Sequence, residues 1–284
     1  MSIPRRRIPS LVLAVAGLVA ASTAAPAQAP VAKPQRIVSL NLCADELLVH
    51  LADRDAIASL TYLARDARGS TVAREAAGIP INHGLAEEIV PLKPDLVIAG
   101  VFTTRNTVSL LKKLGVPLLE IGIAHSPEEA AAQIRTVAER IGEPARGERL
   151  ASDLLADFAR LPPVPANRPT AVVVRPNGFT AGGGSMVDAV MTRAGLDNIA
   201  GRNPADRMGQ LSVEQIVIAR PDVLITDAEP GAPPSLAQEV LRHPALAAMP
   251  ARKISVPGRL WACAGPELAQ AAAILAAGAR EAKP

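Results

Sequence analysis

Eight residues of this chain combine a type and a position suited to gripping a ligand: Tyr62, Phe102, Arg105, Arg175, Phe179, Gly183, Arg259 and Trp261. Aromatic residues make up only 2% of the chain, and four of the five fall in segments that read as loops just after strands. Aromatics ordinarily go to cores, so their placement at strand ends points to a groove lined for a flat or greasy ligand; plugs at loop bases are the plainer reading. The three arginines could add paired N–H donors for a carboxylate-bearing ligand. Gly183 lies in the run Ala181-Gly182-Gly183-Gly184-Ser185, between a strand and a helix. There backbone N–H groups could approach an anionic edge, or form a simple turn in which Ser185 and Asp188 cap the helix.

Cys43 and Cys263, the only two cysteines, each follow a strand in a loop expected to face the groove, one in each half of the chain. A bridge between them would tie the halves together; free thiols near the ligand or small apolar residues are the alternatives. Sequence does not fix the Cα separation that a bridge requires.

Reaction chemistry is poorly represented. The chain has no Gly-x-Ser-x-Gly elbow, no His-Glu-x-x-His and no Cys-x-x-Cys. His50, His83, His125 and His243 are scattered, and read as surface or packed histidines. The expectation is a binding protein, not an enzyme, without metal or cofactor of its own. Capture of a bare zinc or manganese ion would have to use His83, His125 and Asp227; a hydrolase using the groove has no nucleophile–base pair to recommend it.

The elements that must position these residues are partly duplicated. Glu87-Glu88-Ile89-Val90, then Pro94-Asp95-Leu96-Val97-Ile98, returns as Glu214-Gln215-Ile216-Val217, then Pro221-Asp222-Val223-Leu224-Ile225. Each copy reads as a short acidic helix, a proline stop and a buried strand, so the chain reads as α/β: two Rossmann-like lobes of mainly parallel sheet with a groove between them. Strands are expected at 36–40, 57–60, 96–99, 118–121, 171–174, 223–226 and 253–256, with helices from near Asp45 and over 107–114. Ser126-Pro127-Glu128-Glu129 is a helix start. A second helix from Pro144 carries Leu150, Leu154, Phe158 and Leu161 at helical spacing until Pro162 and Pro163 stop it. This single long backbone helix is expected to join the lobes and to permit only a small opening. The boundaries are 28–125 for the first lobe, 126–169 for the helical connector and linker, and 170–284 for the second lobe.

Residues 1–27 read as a signal peptide: Arg5, Arg6 and Arg7, an apolar run from Leu11 to Ala20, and Ala25-Pro26-Ala27 before a cleavage expected ahead of Gln28. No cysteine adjoins that point, so the product is not a lipoprotein. The formal charge of +3 is carried by those three arginines, leaving the exported chain neutral, without the basic stripe that nucleic-acid binding needs.

Together, Arg36-Ile37-Val38-Ser39-Leu40, the segment Glu87–Gly100, Phe179-Thr180-Ala181-Gly182 and Ser212–Thr226 make the chain, over about residues 36–280, resemble the periplasmic substrate-binding proteins of ABC importers. The resemblance is to the helical-backbone, class III type that carries iron-siderophores, haem and cobalamin. It implies a monomer that receives a metal chelate containing iron or cobalt in the periplasm and delivers it to a permease dimer in the inner membrane. It also implies that Glu87 and Glu214, otherwise carboxylates favoured by the helix dipole, dock onto arginines of the two permease subunits. Tyr62 and Phe179 match aromatic contacts of the cobalamin-binding member, whereas Gly100 and Met208-Gly209 stand where that member carries tryptophans.

Overall fold

A computed structural model describes residues 33–202, 209–226 and 236–281. The expected signal peptide, Met208 and Asp227 lie outside the described residues.

The first sheet is assembled from β1 (Ile37–Ser39), β2 (Ile57–Thr61), β3 (Ile81–Asn82), β4 (Leu96–Gly100) and β5 (Leu118–Ile121) in the order β3-β2-β1-β4-β5, every pair parallel. Its strands are short apolar runs because helices cover both faces: α1 (Leu42–Leu51), α2 (Ala86–Ile89) and α3 (Arg105–Lys113). The second sheet, β7-β6-β8-β9, is again parallel, built from β6 (Thr170–Val174), β7 (Asp197–Asn198), β8 (Val223–Thr226) and β9 (Arg252–Ser255). Around it lie α6 (Met186–Arg193), α7 (Val213–Ala219), α8 (Pro244–Ala247), α9 (Arg259–Ala262) and α10 (Leu268–Glu281). Both sheets belong to one compact unit.

The internal duplication is structural as well as sequential. Lys93 and Arg220, each the sixth residue after its glutamate, both take left-handed backbone (φ 47° and 45°) to turn the chain into Pro-Asp and the next strand. Each aspartate then anchors the first strand of its own lobe. Asp95 accepts from the amides of Gln35 and Arg36 at 2.7 and 2.9 Å, and Asp222 accepts from the Thr170 amide and hydroxyl at 2.7 and 2.6 Å. These charge-assisted bonds tether β1 to β4 and β6 to β8, which fixes the strand ends where the loops begin.

Between the lobes stand α4 (Pro127–Arg140) and α5 (Pro144–Ala159), which pack on each other as a hairpin turned at Gly142 (φ 78°). A Cβ on Gly147 would stand 2.2 Å from the Ala138 Cβ, so the hairpin closes only because that position has no side chain. The Ser126 hydroxyl caps α4, accepting from the Glu129 amide at 3.1 Å. The backbone element is thus a pair of packed helices, with α5 also resting on α10.

Three local differences from the sequence reading matter. Helix α1 begins at Leu42, not near Asp45, because the Asn41 side chain caps it, accepting from the amides of Cys43 and Ala44 at 3.0 and 3.3 Å. Cys43 therefore sits in the first turn of a helix. The two-residue edge strands β3 and β7 are too short to show an alternating pattern. The alanine-rich α10 supplies the second lobe with Leu268, Ala272 and Leu275 as core, a contribution that alanine periodicity hardly signals.

Candidate functional site between the lobes

A hollow of about 440 Å³ opens at the carboxyl ends of β1, β4 and β5 and is faced by both lobes. Asn41–Cys43, Leu63, Phe102, Thr104 and Ile121–Ala124 come from the first, Ala262 and Ala264 from the second. This is where open parallel sheets put ligands, beyond their carboxyl edges. Larger hollows of about 590 Å³, between the end of α5 and α10, and about 930 Å³, around Arg220 and Arg252, are not shared by the strand ends of both lobes.

Cys43 and Cys263, which lies between the two lining alanines, form a disulfide with a Cα separation of 5.1 Å. It closes a loop of 220 residues and pins the first turn of α1 to the end of α9, so the floor of the groove is a covalent crosslink between lobes. Beside it, His50 at the end of α1 meets Glu267 ahead of α10 at 3.1 Å, and farther along Glu128 of α4 pairs with Arg193 of α6. The hydrogen bond to Glu267 holds the His50 pKa above its ordinary value, against the opposing pull of burial.

Two buried carboxylates lie behind the groove wall. Asp45 is wholly buried and accepts from the Thr61 amide at 2.9 Å and from the Thr61 hydroxyl. Burial is the main reason its pKa is pushed up to about 7. By gripping the last residue of β2, Asp45 determines where Tyr62 leaves the sheet. Glu46, also buried, accepts from the Thr71 amide at 2.9 Å, and burial raises its pKa too.

The residues expected to bind ligand are distributed unevenly. Phe102 is 73% exposed at the tip of the β4–α3 turn and lines the hollow. Tyr62 and Phe179 are about half exposed, at strand ends of the first and second lobes respectively. Arg105 is exposed in the first turn of α3, and Arg259 is half-buried at the start of α9.

Trp261 is a correction: only 3% exposed, it belongs to the core and offers no stacking surface. The short helix α9, packed on α10, turns the ring inward, where burying so large an apolar surface is favourable. The Arg175 guanidinium lies 5.7 Å from its ring centroid, a cation–π contact within the second lobe. Gly183 packs closely on its own lobe. A Cβ there would come 2.8 Å from the Gly201 carbonyl oxygen, so the missing side chain serves close backbone packing inside the lobe. Ser185 and Asp188 cap α6 and its approach, with Ser185 Oγ accepting from Asp188 N at 3.2 Å and Asp188 Oδ2 accepting from Gly184 N at 2.9 Å.

Glu87 and Glu214 are exposed in the first turns of α2 and α7, with no ion pair to either among the described residues. The neighbouring Glu88 is engaged locally, accepting from the His83 amide at 2.6 Å and pairing with His83 Nδ1 at 2.9 Å. Among the described residues no three His, Cys, Asp or Glu side chains group so as to hold a metal ion.

A family model described as periplasmic binding protein matches residues 37–254, which takes in both sheets and the hairpin between them. The chain belongs to the periplasmic binding protein family. This is a family of binding proteins, not of enzymes, and its members take ligands without using cofactors. Among curated relatives, a cobalamin-binding protein of Halobacterium salinarum is 29% identical over 203 residues, 68% of this chain and 54% of that protein. A vitamin B12-binding protein of Salmonella paratyphi A is 32% identical over 151 residues, 51% of this chain and 56% of that one. The chain thus spans about half the length of the curated relatives it matches. Among solved structures, the periplasmic haem-binding protein RhuT of Roseiflexus in apo form aligns with a TM-score of 0.68 at 26% identity, over 87% of this chain and 98% of that one. The vitamin B12-binding protein BtuF of Vibrio cholerae aligns at 0.67 and 19% identity, over 88% and 98%, a likeness of fold alone.

The groove of this family member has its own floor. A Cβ on Gly100 would fall 2.9 Å from the Asn41 side chain, so no tryptophan fits there while Asn41 caps α1.

Proposed function

We propose that this chain is a periplasmic binding protein that captures a metal chelate between its lobes and delivers it to an inner-membrane ABC importer. The chelate is a ferric siderophore, a corrinoid or haem. The observation that carries the reading is the hollow at the sheet ends, faced by both lobes and lined by the exposed ring of Phe102, with the half-exposed Tyr62 next in sequence to the lining residue Leu63. A flat, largely apolar chelate suits such surfaces, and Arg105 and Arg259 supply charge for its carboxylates. Relatives described as binding cobalamin or haem support the same class of ligand. Under this reading residues 1–27 direct export and are removed before Gln28, the lobes comprise 28–125 and 170–284 about the 126–169 connector, and the protein works as a monomer. Glu87 and Glu214 meet basic sockets on the two permease subunits.

The test is a titration of purified protein with cyanocobalamin, hemin and a panel of ferric siderophores, followed by the fluorescence of Trp261, the single tryptophan. Saturable one-to-one quenching by at least one of them, weakened in Phe102→Ala, is the expected result. Failure of every chelate to bind would end the proposal.

A further inference from the structure

The crosslink between the lobes is also part of the wall that faces the groove. Cys43 is partly exposed and lines the hollow of about 440 Å³, whereas Cys263 is 7% exposed and does not line it, although Ala262 and Ala264 on either side of it do. The two sulfurs therefore differ in access. An incoming reagent meets the one on α1, and meets it in the hollow.

A disulfide opens when a thiolate attacks one sulfur and expels the other. Attack at Cys43 Sγ forms a bond from that sulfur to the incoming one, breaks the bond to Cys263 Sγ, and leaves the electron pair on Cys263, which takes up a proton. A dithiol completes the exchange: its second sulfur loses its proton and bonds to the first, and the electron pair departs on Cys43, which is protonated in turn. The chain is reduced by two electrons and the dithiol is oxidised to a disulfide. Cys43 suits the role of second leaving group, because it stands in the first turn of α1, and a helix N-terminus stabilises a thiolate.

Reduction would not part the lobes. The packed helices α4 and α5, the His50–Glu267 pair and the Glu128–Arg193 pair still join them, so the two thiols stay close enough for a disulfide oxidant to reverse the exchange. The change is confined to the floor of the groove. We propose that the Cys43–Cys263 bridge is a reversible modification site for a dithiol, attacked at Cys43 through the hollow, so that an occupied hollow protects the crosslink. The protection rests on the chelate reading above; the route of attack does not.

The test follows the appearance of thiols by maleimide labelling and intact mass while the purified chain is exposed to dithiothreitol. The rate is expected to rise linearly with dithiothreitol, as attack on the folded chain requires. Ala262→Trp, which sets a ring at an exposed lining position beside the bridge, should slow it about ten-fold, since exchange depends on access to the sulfur. Ala273→Trp, in the separate hollow between α5 and α10, should leave it unchanged, and equal unfolding temperatures check that both variants fold. Reduced glutathione, a monothiol, should leave its adduct on Cys43 of the parent, read by peptide mass. An adduct on Cys263, a rate that levels off at the rate of unfolding, or an Ala262→Trp rate equal to that of the parent would overturn the route. Cyanocobalamin and hemin are then added separately at saturation, and whichever binds should slow reduction about ten-fold, again through loss of access. Binding without slowing overturns the protection. If neither binds while the adduct still maps to Cys43, the route of attack stands and it is the chelate reading that has failed.

Discussion

His50 Nε2 and Glu267 Oε1 meet at 3.1 Å across the two lobes, one at the end of the helix that begins beside the Cys43–Cys263 bridge, the other just past the second cysteine. The pair and the disulfide clamp the same seam, so opening the groove has to work around a fixed edge. Because the bond to Glu267 raises the His50 pKa on folding, the pair contributes its full stability below the ordinary histidine value near 6.5. That contribution is lost as pH rises through the raised value. Unfolding temperature should fall from pH 6 to pH 8, and His50→Gln should remove most of that fall. An unaltered slope in the variant would show that the pair is not coupled to folding.

Asp45 predicts a window that begins at lower pH and overlaps that of His50 near neutrality. Its folded pKa, raised to about 7 by burial, means that the folded state binds the extra proton between the ordinary carboxyl range and neutrality, so stability declines as pH rises across that interval. Asp45→Asn keeps an acceptor for the Thr61 amide and has no charge to bury. The variant should flatten the curve between about pH 4 and 7 while leaving the fall above neutrality, which belongs to His50, as it was. Calorimetry across that range decides.

Removing the crosslink by Cys43→Ser with Cys263→Ser should cost about 2–5 kcal/mol, the usual loss for a native disulfide closing a long loop. It should also widen the groove, read as an increase in radius of gyration by small-angle scattering. Equal denaturation midpoints for parent and double variant would deny the bridge any stabilising role.

Gly147→Ala places a methyl group where Ala138 already stands, 2.2 Å away, and the helices α4 and α5 must separate to admit it. Overpacking of this kind costs about 1–3 kcal/mol. Guanidinium denaturation should show it, whereas Gly122→Ala, with open space around its Cβ, should be near neutral.

Charge reversal at both Glu87 and Glu214 tests delivery apart from capture. Both carboxylates are exposed and away from the lining of the hollow, so ligand affinity should stay within about two-fold of the parent, as for surface changes generally. Uptake by cells carrying the cognate importer should be abolished. Transport that survives the double reversal would reduce the two residues to helix-terminal carboxylates.

The repeating features were legible in the residues alone: the twin acidic helices, the Pro-Asp turns, the parallel strands that follow them, and caps such as Ser126. Each is settled within a few residues, by a side chain reaching its own backbone or by the period of an apolar face. The Asn41 cap of α1 is equally local, a side chain reaching amides two and three residues on. The pairing of Cys43 with Cys263, the turning of Trp261 into the core beside Arg175, and the packing of Gly183 against Gly201 emerge only from the folded chain. These depend on distances between segments remote in sequence, which no local pattern encodes. The same holds for His83. Its imidazole is oriented only because β3 and α2 bring Glu88 to one of its nitrogens while Tyr62, just past β2, stacks on its face.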